Sequence, residues 1–178
     1  MRSESIARNY AEALFDLAER SSRTEQYADL LDAVANGISA APVVEAVLMS
    51  PRVTKAEKSG LLERALKGVP KEFVRFLQAV VKRGRQGLLG EMSREYQTLL
   101  DQKLNRVRAA VTVARKVDEG QKRQIAQRLS RVVGKEVLPF FHEDPALLGG
   151  ILVRVGDRVF DGSVRRRVTM LRRALLSR

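Results

Sequence analysis

The hydrophobic period of this chain changes once, and that change limits what it can fold into. Up to about Asn105, apolar residues recur at three- and four-residue spacing in segments of helical length. Directly afterwards Val107, Ala109, Val111 and Val113 alternate with Arg106, Arg108, Ala110 and Thr112, which is strand spacing with one basic edge. One chain must therefore build two kinds of packed layer. The reading is α+β, mostly α: a six-helix bundle over residues 1–105, then a small basic α+β domain over residues 106–178. No internal repeat or low-complexity linker separates them, so the joint near residues 103–107 is expected to be short.

Helix punctuation divides the first part. Ser3 or Ser5 can cap a first helix running to about Arg20. Ser22 and Glu25 read as a capping box for a second, ending at Asn36-Gly37. Pro42 suits the first position of a short third helix, which Ser50-Pro51 breaks. Thr54 and Glu57 form a further capping box, and Gly68 ends that fourth helix. Pro70 opens the fifth, Gly84 stops it, and the sixth covers Leu88 to about Lys103. In the second part Asp118 and Gln121 box a helix ending at Gly134, and Glu136 to Phe141 reads as a strand.

The stretch from Asp144 to Val164 is an exercise in backbone geometry. Gly149-Gly150 permits close backbone approach or positive φ. Ile151, Val153 and Val155 alternate with Leu152 and Arg154 as a strand does. Gly156-Asp157 suits a two-residue hairpin turn with Gly first, as type II′ requires. Asp161-Gly162-Ser163 closes the second strand, and Ser163 can cap a last helix from Val164 to Leu176. Gly149, Gly150, Gly156, Asp161, Gly162 and Ser163 are thus candidates for structural roles.

Composition excludes several function classes. With no Cys there is no disulfide framework and no thiolate metal site. No run approaches the ~20 apolar residues of a membrane span, and Met1-Arg2-Ser3-Glu4-Ser5 has no signal-peptide core. The chain is expected to stay on the side where it is made. His142, the only His, stands beside Glu143 and Asp144; a metal would need more ligands at suitable spacing, so a partly exposed loop His is expected. Asp16 and Glu19 would need burial to act as an acid–base pair and read as a solvated helix face. Gly84-Arg85-Gln86-Gly87-Leu88-Leu89-Gly90 lacks the lysine-hydroxyl pair of a phosphate loop and reads as a helix–helix turn. No catalytic, cofactor-binding or metal-binding residue is assigned, and no cofactor.

Charge is unevenly placed. Residues 1–105 carry 16 Lys/Arg and 14 Asp/Glu, a balance of +2, whereas residues 106–178 carry 17 and 7, a balance of +10. This asymmetry argues for an acidic partner of the second part: nucleic acid, anionic lipid or acidic protein. A nucleic-acid reader would combine the arginines with exposed stacking aromatics or a known docking motif, yet Tyr10, Tyr27 and Tyr96 all lie in the first part. In the first helix Ile6, Tyr10, Leu14 and Leu17 form one apolar stripe, and Ala7, Ala11, Phe15 and Ala18 a second. A helix apolar on two sides is either central or offers a groove to a partner helix.

Two motifs carry a resemblance to a known family. The Gly-Gly strand, the Gly-Asp turn and Asp161-Gly162-Ser163-Val164 opening a basic helix resemble the C-terminal signature of the delta subunit of rotary ATP synthase, the family that includes the oligomycin-sensitivity-conferring protein. Ala7-Arg8-Asn9-Tyr10-Ala11-Glu12-Ala13-Leu14-Phe15 resembles its first helix, and the total length is similar. Arg83 stands where the family often has Asn, and Val168 where Leu is common. The resemblance implies a non-catalytic stator subunit of a proton-translocating ATP synthase, peripheral on the cytoplasmic face of the bacterial plasma membrane and attached only through the complex. It implies that the N-terminal helix of a catalytic-head alpha subunit docks between the first and fifth helices, on Ile6, Tyr10, Ala13, Leu14, Leu17, Phe73, Phe76, Leu77 and Val80. It further implies that the second part binds the C-terminal ends of the peripheral-stalk b subunits, with Arg154, Arg165, Arg166 and Arg172 as candidates. The alternative from another class is a basic nucleic-acid-binding protein; under the resemblance no nucleic acid is a partner.

Overall fold

The computed structural model describes residues 2–176, with side chains given for residues 3–170 and for Arg172. The first elements are α1 (Arg2–Arg20), α2 (Thr24–Ala40), α3 (Pro42–Met49), α4 (Lys55–Ala65), α5 (Lys71–Lys82) and, after a short 3-10 turn, α6 (Leu89–Lys103). Then follow β1 (Arg106–Val113), α7 (Glu119–Val133), β2 (Glu136–Glu143), β3 (Ile151–Val155), β4 (Arg158–Asp161) and α8 (Val164–Leu176). Mostly helical, the chain thus carries one small four-stranded sheet. It divides into two compact units, Met1–Leu100 and Asp101–Arg178.

The first unit is built around aromatic and alanine packing. Ala7, Ala11, Leu14 and Ala18 of α1 are fully buried with Tyr27 and Leu31 of α2, Phe73, Leu77 and Val80 of α5, and Met92 and Tyr96 of α6. The alanines let neighbouring helices approach α1 closely, and the rings fill the remaining space: Tyr27 meets Phe73 at 5.5 Å and Phe15 meets Tyr96 at 5.3 Å between centroids. The buried Tyr96 hydroxyl donates to the Thr24 carbonyl at 3.0 Å, so no polar group is stranded there. Burial pushes the Tyr96 phenol above its ordinary range.

Several local expectations need correction. Ser3 and Ser5 lie inside α1, which begins at Arg2. The Ser22–Glu25 box does not form; α2 begins after Arg23 with no side-chain cap. Ser22 instead takes φ +54° and, with Arg23 N–H bonded to the Ala18 carbonyl at 2.9 Å, terminates α1. A residue in that left-handed conformation cannot also serve as an extended N-cap. α2 continues through Gly37 to Ala40, and the Asn36 side-chain amide donates along the helix to Asp32 at 2.8 Å. By contrast the Thr54–Glu57 and Asp118–Gln121 boxes are both complete, and Gly134 closes α7 at φ +74°.

The second unit is a mixed sheet in the order β2-β1-β3-β4. β1 and β2 run parallel, with α7 as the crossover such a pair requires. β3 pairs antiparallel with β1 and with β4. Ala109, Val111, Val113, Val137 and Val153 point to one face, against Ile125, Leu129 and Val133 of α7. Pro139 is tolerated because β2 is an edge strand. β2 extends to Glu143, so His142 is an exposed strand residue opposite Thr112 and not a loop residue.

Candidate partner-binding surfaces

The α1–α5 surface follows from how α1 is buried. Its core face is the alanine stripe together with Leu14, so Leu14 does not share the outward stripe expected for it. What remains outside is Ile6 and Tyr10, half-buried, with Ala13 and Leu17 exposed. On α5 the expected groove residues face inward: Phe73, Leu77 and Val80 are closed off in the core, and Phe76 is 8% exposed. The reason is the strongly one-sided amphipathicity of α5, whose apolar face must cover α1 and α2 before it can serve anything else. The Tyr10 ring packs edge-on against Phe76 at 6.3 Å, which joins the two helices at the surface. The accessible strip is therefore Ile6, Tyr10, Ala13 and Leu17, edged by Phe76. At its α1 N-terminal end an open depression of about 600 Å³ is lined by Ile6, Asn9, Tyr10, Arg83 and Arg85.

The sequence did not single out a second apolar depression in this unit. Val34, Ile38, Val43, Val44, Val47, Leu61 and Leu62 line a space of about 390 Å³ among α2, α3 and α4. Val43 alone is 76% exposed there, a signal that a surplus of apolar residues in the short α3 could have given.

In the second unit the glycine-rich stretch forms a closed junction. The Val164 amide donates to the Gly149 carbonyl at 3.0 Å and the Gly162 amide to the Ile151 carbonyl at 2.9 Å. Gly150 has φ +80°, and an added Cβ there would overlap the Gly162 carbonyl oxygen. Gly156 has φ +55° at the β3–β4 turn while Asp157 keeps negative φ, the type II′ arrangement of φ. The buried Ser163 hydroxyl accepts the Arg166 amide at 3.2 Å and so caps α8. The Asp161 carboxylate accepts the Ser163 amide at 2.9 Å. Hydrogen bonds from Ser163, through side chain and backbone, hold the Asp161 carboxyl below its ordinary range, with Arg166 adding to the effect.

The candidate arginines of this unit occupy two places. Arg154 stands on the sheet face away from the core, in a row with Phe140, Ala110 and Val159. Arg165 and Arg166 line a polar depression with Asp144, Asp161, Thr169 and Met170, and Arg172 is exposed further along α8. Charge counting missed the apolar part of this surface: Phe140, Val159, Val168 and Met170 are all at least half exposed. It also overcounted free charge, because the buried Asp101 accepts from Arg106 Nε at 2.9 Å and from Arg108 Nε at 2.6 Å. Among the described residues no cluster of His, Asp and Glu could hold a metal ion. No single described helix is long and apolar enough to cross a membrane.

Comparison with known proteins places the chain in one family. The ATP synthase delta (OSCP) subunit family model matches residues 6–175. ATP synthase subunit delta of Gemmatimonas aurantiaca is 46% identical over 98% of this chain and 95% of its own length. Its counterpart in Desulforamulus reducens is 35% identical over 97% and 96%, and that of Myxococcus xanthus 33% over 98% and 98%. A chain of the cryo-EM structure of the Toxoplasma gondii mitochondrial ATP synthase hexamer shares the fold, with TM-score 0.69 over 96% of this chain and 97% of that one at 18% identity. None of these relatives supports the nucleic-acid alternative. Since the match runs through both units at such identity, the chain belongs to the ATP synthase delta (OSCP) subunit family.

Proposed function

We propose that this chain holds the catalytic head of a proton-translocating ATP synthase still by linking its top to the peripheral stalk, so that rotor torque drives ATP synthesis. As a delta subunit it is a stator component of that membrane-associated complex. It works as structure alone, with no active site, cofactor or metal of its own. The six-helix bundle of residues 1–105 binds the N-terminal helix of a head alpha subunit along the α1–α5 strip. The basic domain of residues 106–178 binds the C-terminal ends of the stalk b subunits through Arg154, Arg165, Arg166 and Arg172 and the apolar residues among them. The subunit sits on the cytoplasmic face of the bacterial plasma membrane, held there only through its partners.

One observation carries this reading: family similarity extends over residues 6–175 and so covers both units and both surfaces. The physics suits the task. A linker in series must resist dissociation more than it must associate quickly, and affinity among related interfaces is set mostly by dissociation rate. Apolar burial on α1–α5 supplies persistence, and the basic second unit supplies steering toward an acidic or mixed-charge stalk. The test is recovery of tagged full-length chain from a membrane extract. Alpha and b subunits with ATPase activity should come with it. Salt-sensitive retention on DNA without either subunit would overturn the reading.

A further inference from the structure

We infer that Arg83 and Arg85 form a carboxylate-binding end to the α1–α5 strip, so that the helix docked there carries Asp or Glu at the turn that meets them. The inference rests on the head-binding role proposed for that strip and specifies the chemistry of its partner. Arg83 closes α5 and Arg85 follows the left-handed Gly84, at φ +68°, so the turn carries both side chains away from the buried face of α5. Both residues are exposed, and both line the depression shared with Ile6, Asn9 and Tyr10. Among the described residues neither guanidinium has an ion-pair or hydrogen-bond partner, unlike Arg106 and Arg108, which Asp101 engages.

Two unpaired guanidiniums in one depression repel each other and gain nothing from the fold. A carboxylate between them would accept charge-assisted hydrogen bonds, which guanidinium geometry favours. The strip beyond them is apolar: Tyr10, Ala13, Leu17 and the Phe76 edge. A matching occupant is an amphipathic helix whose apolar face lies along α1 and whose acidic turn lies at Gly84. The C-terminal half of such a helix suits that end best, because the negative end of its dipole then also faces the arginines.

The probe is the N-terminal segment of the alpha subunit encoded with this chain, as a synthetic peptide titrated into the full-length protein. Three proteins are compared: wild type, the double variant Arg83→Glu/Arg85→Glu, and Ala13→Glu, which changes only an exposed residue of the strip. The double variant should bind about tenfold more weakly at 0.1 M salt, a difference that shrinks at 1 M salt. A peptide with its acidic turn changed to Lys should bind the double variant better than the wild type. If Ala13→Glu abolishes binding while the double variant binds as wild type does, the strip is right and the carboxylate pairing is wrong. If neither protein differs from wild type, the docking site itself is elsewhere. A peptide with no Asp or Glu at that end, or displacement by inorganic phosphate or anionic vesicles in place of acidic peptide, would also overturn the inference.

Discussion

Gly150 and Gly162 are locked together: a Cβ on Gly150 would overlap the carbonyl oxygen of Gly162 and stand 3.1 Å from Cα of Ser163. Gly150 also takes φ +80°, so a side chain there is penalised twice. This contact seats the start of β3 against the end of β4 and the capped start of α8. Gly150→Val is expected to destabilise the second unit by at least ~2 kcal/mol. Gly149→Ala should cost less, since its Cβ would meet only the Val164 side chain, at 3.1 Å. Chemical denaturation followed by hydrogen exchange, resolved unit by unit, checks both; protection in the first unit should stay unchanged.

Val80 and Ala13 separate packing from recognition in the first unit. Val80 is fully buried, so Val80→Asp places an unpaired carboxylate in the core and is expected to unfold that unit, at a cost of several kcal/mol. Ala13 is exposed, so Ala13→Glu should keep the wild-type helical circular dichroism and thermal midpoint. It should nevertheless weaken binding of the alpha-subunit peptide. Equal binding by Ala13→Glu and wild type would remove α1 from the interface.

Asp161 makes the second unit sensitive to acid. Its folded-state carboxyl lies below the ordinary Asp value because Ser163 donates to it. A depressed pKa means that stability is present above the unfolded-state value, near 3.8, and is lost as pH falls through the folded-state value. Between pH 7 and pH 3 the unfolding midpoint of wild type should therefore fall further than that of Asp161→Asn. At neutral pH the variant should be the less stable of the two. Parallel midpoint-versus-pH curves for the two proteins would mean that the Ser163 hydrogen bonds contribute no linkage.

Some local rules were legible in the sequence and others were not. Thr54 with Glu57, Asp118 with Gln121, and Gly156 with Asp157 each do what their spacing implies. Ser22 had two uses, ending α1 or capping α2, and no local rule decides between them. The candidate head surface was harder to read for a different reason. Spacing shows that α5 has an apolar face but not what covers it; three-dimensional packing spends Phe73, Leu77 and Val80 on the core. For the same reason charge counting could not reveal that Asp101 holds Arg106 and Arg108, or that Phe140 and Val159 share an open sheet face with Arg154.

The arginines opening α8 give the sharpest test of the proposed stalk surface. Arg165, Arg166 and Arg167 occupy the first turn of a helix, where the dipole is positive and cations are unfavourable. A helix selected for its own stability would carry acids there. Asp161, which Arg166 helps keep ionised, offsets part of that cost at Arg166; for Arg165 and Arg167 the placement is unfavourable to the helix, which points to a partner that compensates it. Glu at Arg165 suits the helix start, whereas Glu at Arg166 gives up the attraction to Asp161, so the variant's helical circular dichroism is measured beside its binding to separate a lost helix from lost recognition. The double reversal Arg165→Glu/Arg166→Glu is expected to slow association with a peptide from the C-terminal end of the stalk b protein more than it speeds dissociation. For wild type the association rate should fall as the Debye length shrinks from ~10 Å at 0.1 M salt to ~3 Å at 1 M. Binding of the alpha-subunit peptide should be unaffected, because its proposed site lies wholly within the first unit. Stopped-flow association rates that ignore salt, or an equal loss at both sites, would leave the cost of three cations at that helix start without a functional explanation.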